Sequence, residues 1–190
     1  MPRIDAPTVA EHHANRRAAL LAAAEQVLAD QGLDALSLGA VGAEAGLARS
    51  SVYQYFDSTP ALLVAVVEDA FPRATQRLLD AVDAEHDPGA KVDAYVRTAL
   101  DLATDRTHRS LAALAGADLP AECRARVAEL HAEQHAPLRA ALRDLGDRTP
   151  DLTARLIVGM VHGASQAVAE GAPVAPVRRR TLALVHEGIG

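Results

Sequence analysis

The chain contains a single cysteine, Cys123, no tryptophan, and only 3% aromatic residues among its 190 positions. One cysteine excludes an intramolecular disulfide and a cysteine-based zinc cluster, and it suits a reducing, cytoplasmic setting. Long apolar runs are missing as well. The longest candidate, "LIVGMVHGASQAVA", is interrupted by His162, Ser165 and Gln166, well short of the roughly 20 residues that span a bilayer. No membrane partner is expected. The opening "MPRIDAPTVAEHH" lacks the apolar stretch of a secretory signal. Basic charge is scarce too: the formal net charge is -6, and the first 60 residues hold four arginines against seven carboxylates. Much nucleic-acid affinity comes from cationic contacts to phosphate, so a DNA-binding role would have to rest on geometry. No nucleophilic triad, carboxylate pair with a defined cleft or phosphate-cradling glycine loop is present. The expectation is a protein that is not an enzyme, with no catalytic residues, metal or cofactor.

Strand-like alternation of useful length and internal repeats are likewise absent. Alanine is abundant instead, and helical periodicity runs through most of the chain. Leu20, Leu21, Ala24, Val27 and Leu28 predict an amphipathic helix over about 11–30, stopped at Gly32 by a left-handed cap. Ser37 caps a short helix over 38–45, Gly46 ends it, and a third helix is expected over 49–56. Ser58 or Thr59 caps the next, with Pro60 in its first turn. Pro72 predicts a kink or break near Phe71. Further helices are expected at about 88–105, 108–116, 120–145 (bent at Pro137), 150–170 and 175–188. Asp87, the "DLP" at 118–120 and Thr149 mark three of these starts. The expectation is an all-α fold of about nine helices.

The few aromatics gather in one stretch, "GLARSSVYQYFDSTPALL", residues 46–63. Two short helices meeting at a glycine-containing turn have the form of a helix-turn-helix. Val52 and Phe56, four apart, share a face that can lock the third helix down. Arg49, Ser50, Gln54 and Tyr55 then turn outward. A helix fits the major groove, where arginine pairs with guanine and glutamine with adenine. Ser51 and Tyr53 offer hydroxyls to phosphates, and Arg17 can add a contact from the first helix.

Residues 17–63 resemble the TetR family of transcriptional repressors. The resemblance is carried by "RAALLAAAEQVLADQGLDALSL" and above all by "VGAEAGLARSSVYQYF", in which Ala45, Gly46, Leu47, Ser51, Val52, Tyr53, Tyr55 and Phe56 fall in register. It implies a three-helix DNA-binding domain over 1–58 and a larger helical ligand-binding and dimerisation domain over 59–190. It also implies DNA contacts from Arg49, Ser50, Ser51, Tyr53, Gln54 and Tyr55. The expected function is a homodimeric repressor on a pseudo-palindromic, double-stranded DNA operator, released by a small-molecule effector. The alternative is a dimeric small-molecule or protein-binding module with weakened or lost DNA binding. That alternative draws on departures from the family pattern. Thr59 stands where many members have lysine, Ala48 replaces a frequent serine cap, and Gly39 and Gly42 each cost the second helix about 1 kcal/mol.

For the body, the resemblance implies a four-helix dimer interface from the last two helices of each subunit. Its candidate residues are Leu156, Gly159, Gly163, Ala167, Leu182 and Val185. The effector pocket is expected among Phe71, Leu78, Tyr95, Leu102, Leu111, Leu114 and Leu130. His131 and His135 lie four apart on one helical face. Without a third ligand, they are expected as a surface pair rather than a zinc site.

Overall fold

The computed structural model describes residues 9–104, 119 and 121–189. The fold is all-α, and no strand occurs among the described residues. Nine α-helices are present there: α1 (Val9–Gln31), α2 (Leu38–Glu44), α3 (Arg49–Val52), α4 (Thr59–Asp83), α5 (Pro88–Thr104), α6 (Ala121–Gln134), α7 (Ala136–Asp144), α8 (Pro150–Ala169) and α9 (Val174–Ile189). A 3-10 turn, Leu33–Ala35, joins α1 to α2. The expected helix over 108–116 and the "DLP" start fall outside the described residues, apart from Leu119.

Two cores organise the chain. The first gathers Leu20, Ala24, Val27 and Leu28 of α1, Leu38 and Val41 of α2, Val52 and Phe56, the first half of α4 from Leu62 to Phe71, and Cys123, Val127 and Leu130 of α6. The second gathers Ala74, Leu78 and Val82 of α4, Val92, Tyr95 and Val96 of α5, Leu138 and Leu142 of α7, Ile157 of α8, and Val185 of α9. α4 is therefore a shared rod whose two halves are buried in different cores. The first core takes in residues of α4 and α6 beyond position 58.

That sharing explains why the expected break at Pro72 does not occur: α4 runs unbroken through it. An interior proline costs a helix about 3 kcal/mol. Phe71 and Ala74 are both buried on either side of it, and Pro72 itself faces solvent. Burial on both flanks outweighs the lost hydrogen bond. At Pro137 the helix expected over 120–145 is divided in two, with His135 between the pieces keeping helical backbone angles at φ -89°, ψ -5°. α6 ends at Gln134, and α7 begins with Pro137 in its first turn. Arg139 donates to the Ala132 carbonyl at 2.9 Å across that break.

The turn devices follow local chemistry. Ser37 Oγ accepts from Ala40 N–H at 3.1 Å, Ser58 Oγ from Ala61 N–H at 3.2 Å, and Asp87 Oδ1 from Ala90 N–H at 2.9 Å. Each satisfies a helix-start donor that has no intrahelical partner. Thr149 differs from expectation. Its side chain does not cap α8; instead Asp147 Oδ1 takes the Thr149 N–H at 2.7 Å. Gly32 ends α1 at φ 83°, ψ 179°, a glycine region but not the left-handed helical cap expected for it.

Candidate functional site

The helix-turn-helix is built on two close approaches. At the turn, Leu47 N–H bonds to the Gly42 carbonyl at 2.7 Å and Gly46 N–H to the Ala43 carbonyl at 3.2 Å, with Gly46 at φ 65°. This double bond closes α2 and needs a left-handed residue at position 46. At the crossing, a Cβ on Gly42 would lie 2.9 Å from Val52 Cγ2 and 3.1 Å from the Leu47 carbonyl oxygen. Gly42 is thus what allows α3 to sit on α2, and is not only a weak point in the helix. Gly39 has no such neighbour, its nearest contact being Ser37 Oγ at 4.0 Å.

α3 is shorter than expected, ending at Val52 rather than Phe56. The chain continues through a tightened turn, with Tyr55 N–H bonding to the Val52 carbonyl at 2.9 Å and Phe56 N–H to the same oxygen at 3.1 Å. No side chain caps its start, because Ala48 offers none. Val52 and Phe56 are buried in the first core, and they fix the rotation of the segment. Arg49, Ser50, Tyr53 and Gln54 are consequently exposed, and Ser51 is half-buried.

Tyr55 departs from the outward orientation expected of it. It is half-buried against the first core, and its ring lies 4.5 Å from that of His13 on α1. It ties the turn to α1. Arg17 is exposed on α1, with its guanidinium 5.7 Å from the Phe56 ring centroid. The N-terminal half of α1 thus flanks the same face.

Arg49 and Tyr53 act as one unit. The guanidinium donates to the Tyr53 hydroxyl at 3.0 Å and lies 5.6 Å from the ring centroid. The hydroxyl accepts this bond, so its own proton is free for an outside acceptor. The pair lines a groove of about 360 Å³ with Ser37, Leu38, Gly39, Asp57, Ser58 and Thr59. Two helix starts, those of α2 and α4, open onto this groove. Ser37 and Ser58 are legible in sequence only as caps, and their cap positions are the signal that α2 and α4 present N-termini here. Thr59 supplies a hydroxyl where a lysine would supply charge, and Asp57 adds a negative charge.

In the body, the five described pocket candidates are all buried, and they divide between the two cores. Phe71 and Leu130 belong to the first core; Leu78, Tyr95 and Leu102 belong to the second. Leu111 and Leu114 lie outside the described residues. The two histidines depart from the expected surface pair. His135 Nδ1 lies 2.9 Å from the Tyr95 hydroxyl, His131 packs edge-on to Phe71 at 4.8 Å, and the two imidazoles stack at 5.8 Å. Burial, with the His131 and Arg139 charges adding, pulls the His135 pKa down to about 4. Burial also lowers that of His131, against a smaller pull from Gln134. His131 stands four residues after Val127, on the side of α6 that meets Phe71. Among the described residues, no group of three or more metal-binding side chains is assembled, and no helix is long and apolar enough to cross a membrane.

The expected interface candidates divide. Leu156 is 61% exposed, Gly159 and Gly163 are exposed, and Ala167 and Leu182 are half-buried. A Cβ on either glycine would meet nothing among the described residues, so this stripe packs against none of them. Leu152, 56% exposed, extends it by one turn. Val185 does not belong to it: it is fully buried in the second core, because α9 turns that face onto α5 and α8.

The family model for bacterial regulatory proteins of the tetR family matches residues 20–66. No curated protein matches the sequence. Solved structures share the architecture across nearly the whole chain. A TetR-family transcriptional regulator from Streptomyces coelicolor is 19% identical, with 97% of this chain and 95% of that one covered and a TM-score of 0.79. A putative TetR-family transcriptional regulator from Rhodococcus sp. is 18% identical over 93% of this chain and all of that one, also at 0.79. The transcriptional regulator FadR from Bacillus subtilis, solved in complex with stearoyl-CoA, is 17% identical over 88% and 96%, at 0.77. At these identities the likeness is one of fold.

Proposed function

We propose that this chain, whose head belongs to the tetR family of bacterial regulatory proteins, is a homodimeric transcriptional repressor released from its operator by a small molecule. The observation that carries the reading is the head. Buried Val52 and Phe56 hold a short helix so that Arg49, Ser50, Tyr53 and Gln54 face outward together. Arg49 and Gln54 read base edges in the major groove. The Tyr53 hydroxyl, Ser51 and the starts of α2 and α4 meet phosphates. Arg17 reaches the backbone from α1, and Tyr55 positions the turn through His13.

The open stripe Leu152, Leu156, Gly159 and Gly163 supports pairing of two copies through α8. It repeats at four-, three- and four-residue spacing, which keeps one helical face apolar and small. A dimer presents two recognition helices to successive major grooves of a pseudo-palindromic site. The body is the effector domain, and ligand and DNA weaken each other's binding reciprocally. A module that has lost DNA binding is favoured by one observation, Thr59 in the groove where many family members carry lysine, with the negative Asp57 beside it.

Selection of bound duplexes from a random pool, followed by gel shifts at low salt, tests the reading. The wild type should enrich an inverted repeat. Arg49→Ala should lose at least tenfold in affinity, and Tyr53→Phe less. Recovery of no enriched duplex with a folded dimer would favour the module reading.

A further inference from the structure

The junction between the two cores holds a polar cluster that the packing leaves incomplete. His131 and Gln134 occupy the last turn of α6, His135 the interruption before α7, and Tyr95 the facing side of α5. Gln134 is 5% exposed. Its Nε2 and the Nε2 of His131 are buried and have no hydrogen-bond partner among the described residues. A buried donor left unpaired costs about 1–3 kcal/mol, so interiors seldom keep one without a use. Tyr95 and His135, by contrast, satisfy one another. Beside His135, stacked on His131 at 5.8 Å, the cluster meets apolar neighbours, with the Phe71 ring at 4.8 Å from the His131 imidazole and Leu130 one residue before it.

We propose that His131 and Gln134 form the recognition point for the effector, and that the effector presents a neutral carbonyl on a largely aliphatic skeleton. This rests on the reading that the body binds a small molecule. The choice of a neutral group follows from charge. Burial keeps both imidazoles below their ordinary pKa and raises that of the Tyr95 phenol, so none of the three is charged at neutral pH. The nearby cation, Arg139, is already engaged by the Ala132 carbonyl and by Asp151 at 3.6 Å. A carboxylate or phosphate entering here would be buried without a counter-charge. With its proton on Nε2, the neutral His131 imidazole offers a donor beside the Gln134 amide, and one carbonyl oxygen, with two lone pairs, can accept from both.

The placement also explains how occupancy reaches the head. α6 carries His131 and Gln134 at one end and Cys123, Val127 and Leu130 in the first core along its length. Arg126 pairs with Glu68 of α4 at 3.0 Å on the same helix. A ligand that draws in the end of α6 therefore moves an element of the head's own core. The interruption at His135 lets that end yield without unwinding α7.

A matched aliphatic series tests this on the full chain without DNA, by thermal shift and by ¹⁵N imidazole NMR at pH 7. Octanamide and 2-octanone should raise the melting temperature and shift the His131 signals, with octanoate at least tenfold weaker. Gln134→Leu should melt at or above the wild-type temperature, since it removes an orphan donor, and should lose at least tenfold in octanamide affinity. His131→Phe should lose affinity similarly. Octanoate binding as tightly as octanamide would overturn the neutral-carbonyl assignment while leaving the body an effector domain. Unchanged octanamide binding in both variants, or no binding of the neutral probes to the wild type, would overturn the site. None of these outcomes bears on the gel shifts that test the head.

Discussion

Alanine at Gly42 and alanine at Gly39 are the same substitution three residues apart on one helix, yet they should act in opposite directions. Each adds one methyl group and each removes the entropic cost of glycine in a helix, a gain of up to about 1 kcal/mol. At Gly39 nothing opposes that gain, since the nearest atom is Ser37 Oγ at 4.0 Å. At Gly42 the new methyl meets Val52 Cγ2 at 2.9 Å and the Leu47 carbonyl oxygen at 3.1 Å. Neither neighbour yields easily. Val52 is fully buried and β-branched, so its rotamer is restricted. Leu47 is backbone, held by its N–H bond to the Gly42 carbonyl at 2.7 Å. Overpacking of this kind costs about 1–3 kcal/mol. The net expectation for Gly42→Ala is a loss of about 1–2 kcal/mol, and for Gly39→Ala a gain of about 0.5–1 kcal/mol because it lies near the helix start. Urea titrations of the two variants and the wild type, followed by circular dichroism, measure this as opposite shifts of the midpoint at unchanged slope. A Gly42→Ala chain as stable as Gly39→Ala would refute the claim that the α2–α3 crossing requires glycine.

Two further outcomes are expected. Leu156→Glu places a charge in the open stripe of α8 and should shift sedimentation from dimer to monomer with the helical content retained; a persistent dimer would move the interface elsewhere. The His135 pKa, lowered from 6.5 to about 4, makes stability pH-dependent. The unfolded chain binds more protons than the folded one between those values, so this contribution is complete above about pH 6.5 and lost as pH falls towards 4. The loss amounts to about 1–3 kcal/mol. The groups facing His135 are Tyr95 from α5, His131 from α6 and Arg139 from α7; the Arg139 charge, joined by that of His131 once it is protonated, disfavours His135 protonation as burial does. Denaturation midpoints at pH 7 and pH 4.5 should differ more in the wild type than in His135→Leu; an equal difference in both would discount the histidine.

The head was legible in the sequence because its determinants are local. Gly46, the Ser37 and Ser58 caps, and the four-residue spacing of Val52 and Phe56 each act within a turn or two of the chain. They specify where helices begin and end and which side of α3 is covered. The orientation of Tyr55 was not legible, since it depends on His13, more than forty residues away. The body was legible only as helices. Whether a proline bends, breaks or is absorbed is settled by what the flanking residues bury. Pro72 is absorbed because Phe71 and Ala74 are held in two cores, and Pro137 divides α6 from α7. Helical spacing likewise puts His131 and His135 on one face without saying that the face is turned inward.

The sequence by itself therefore determined an all-α chain with a helix-turn-helix near its start and an outward placement of Arg49, Ser50 and Gln54. These follow from periodicity, capping and turn chemistry, whose range is a few residues. Only the tertiary structure decided that α4 serves two cores, that Gly42 is a packing requirement while Gly39 is open, and that Val185 is core while Leu156 is surface. It alone decided that two polar nitrogens of α6 are buried with no hydrogen-bond partner among the described residues. Those outcomes depend on which distant faces meet, a quantity set by the burial of the whole chain rather than by any one segment.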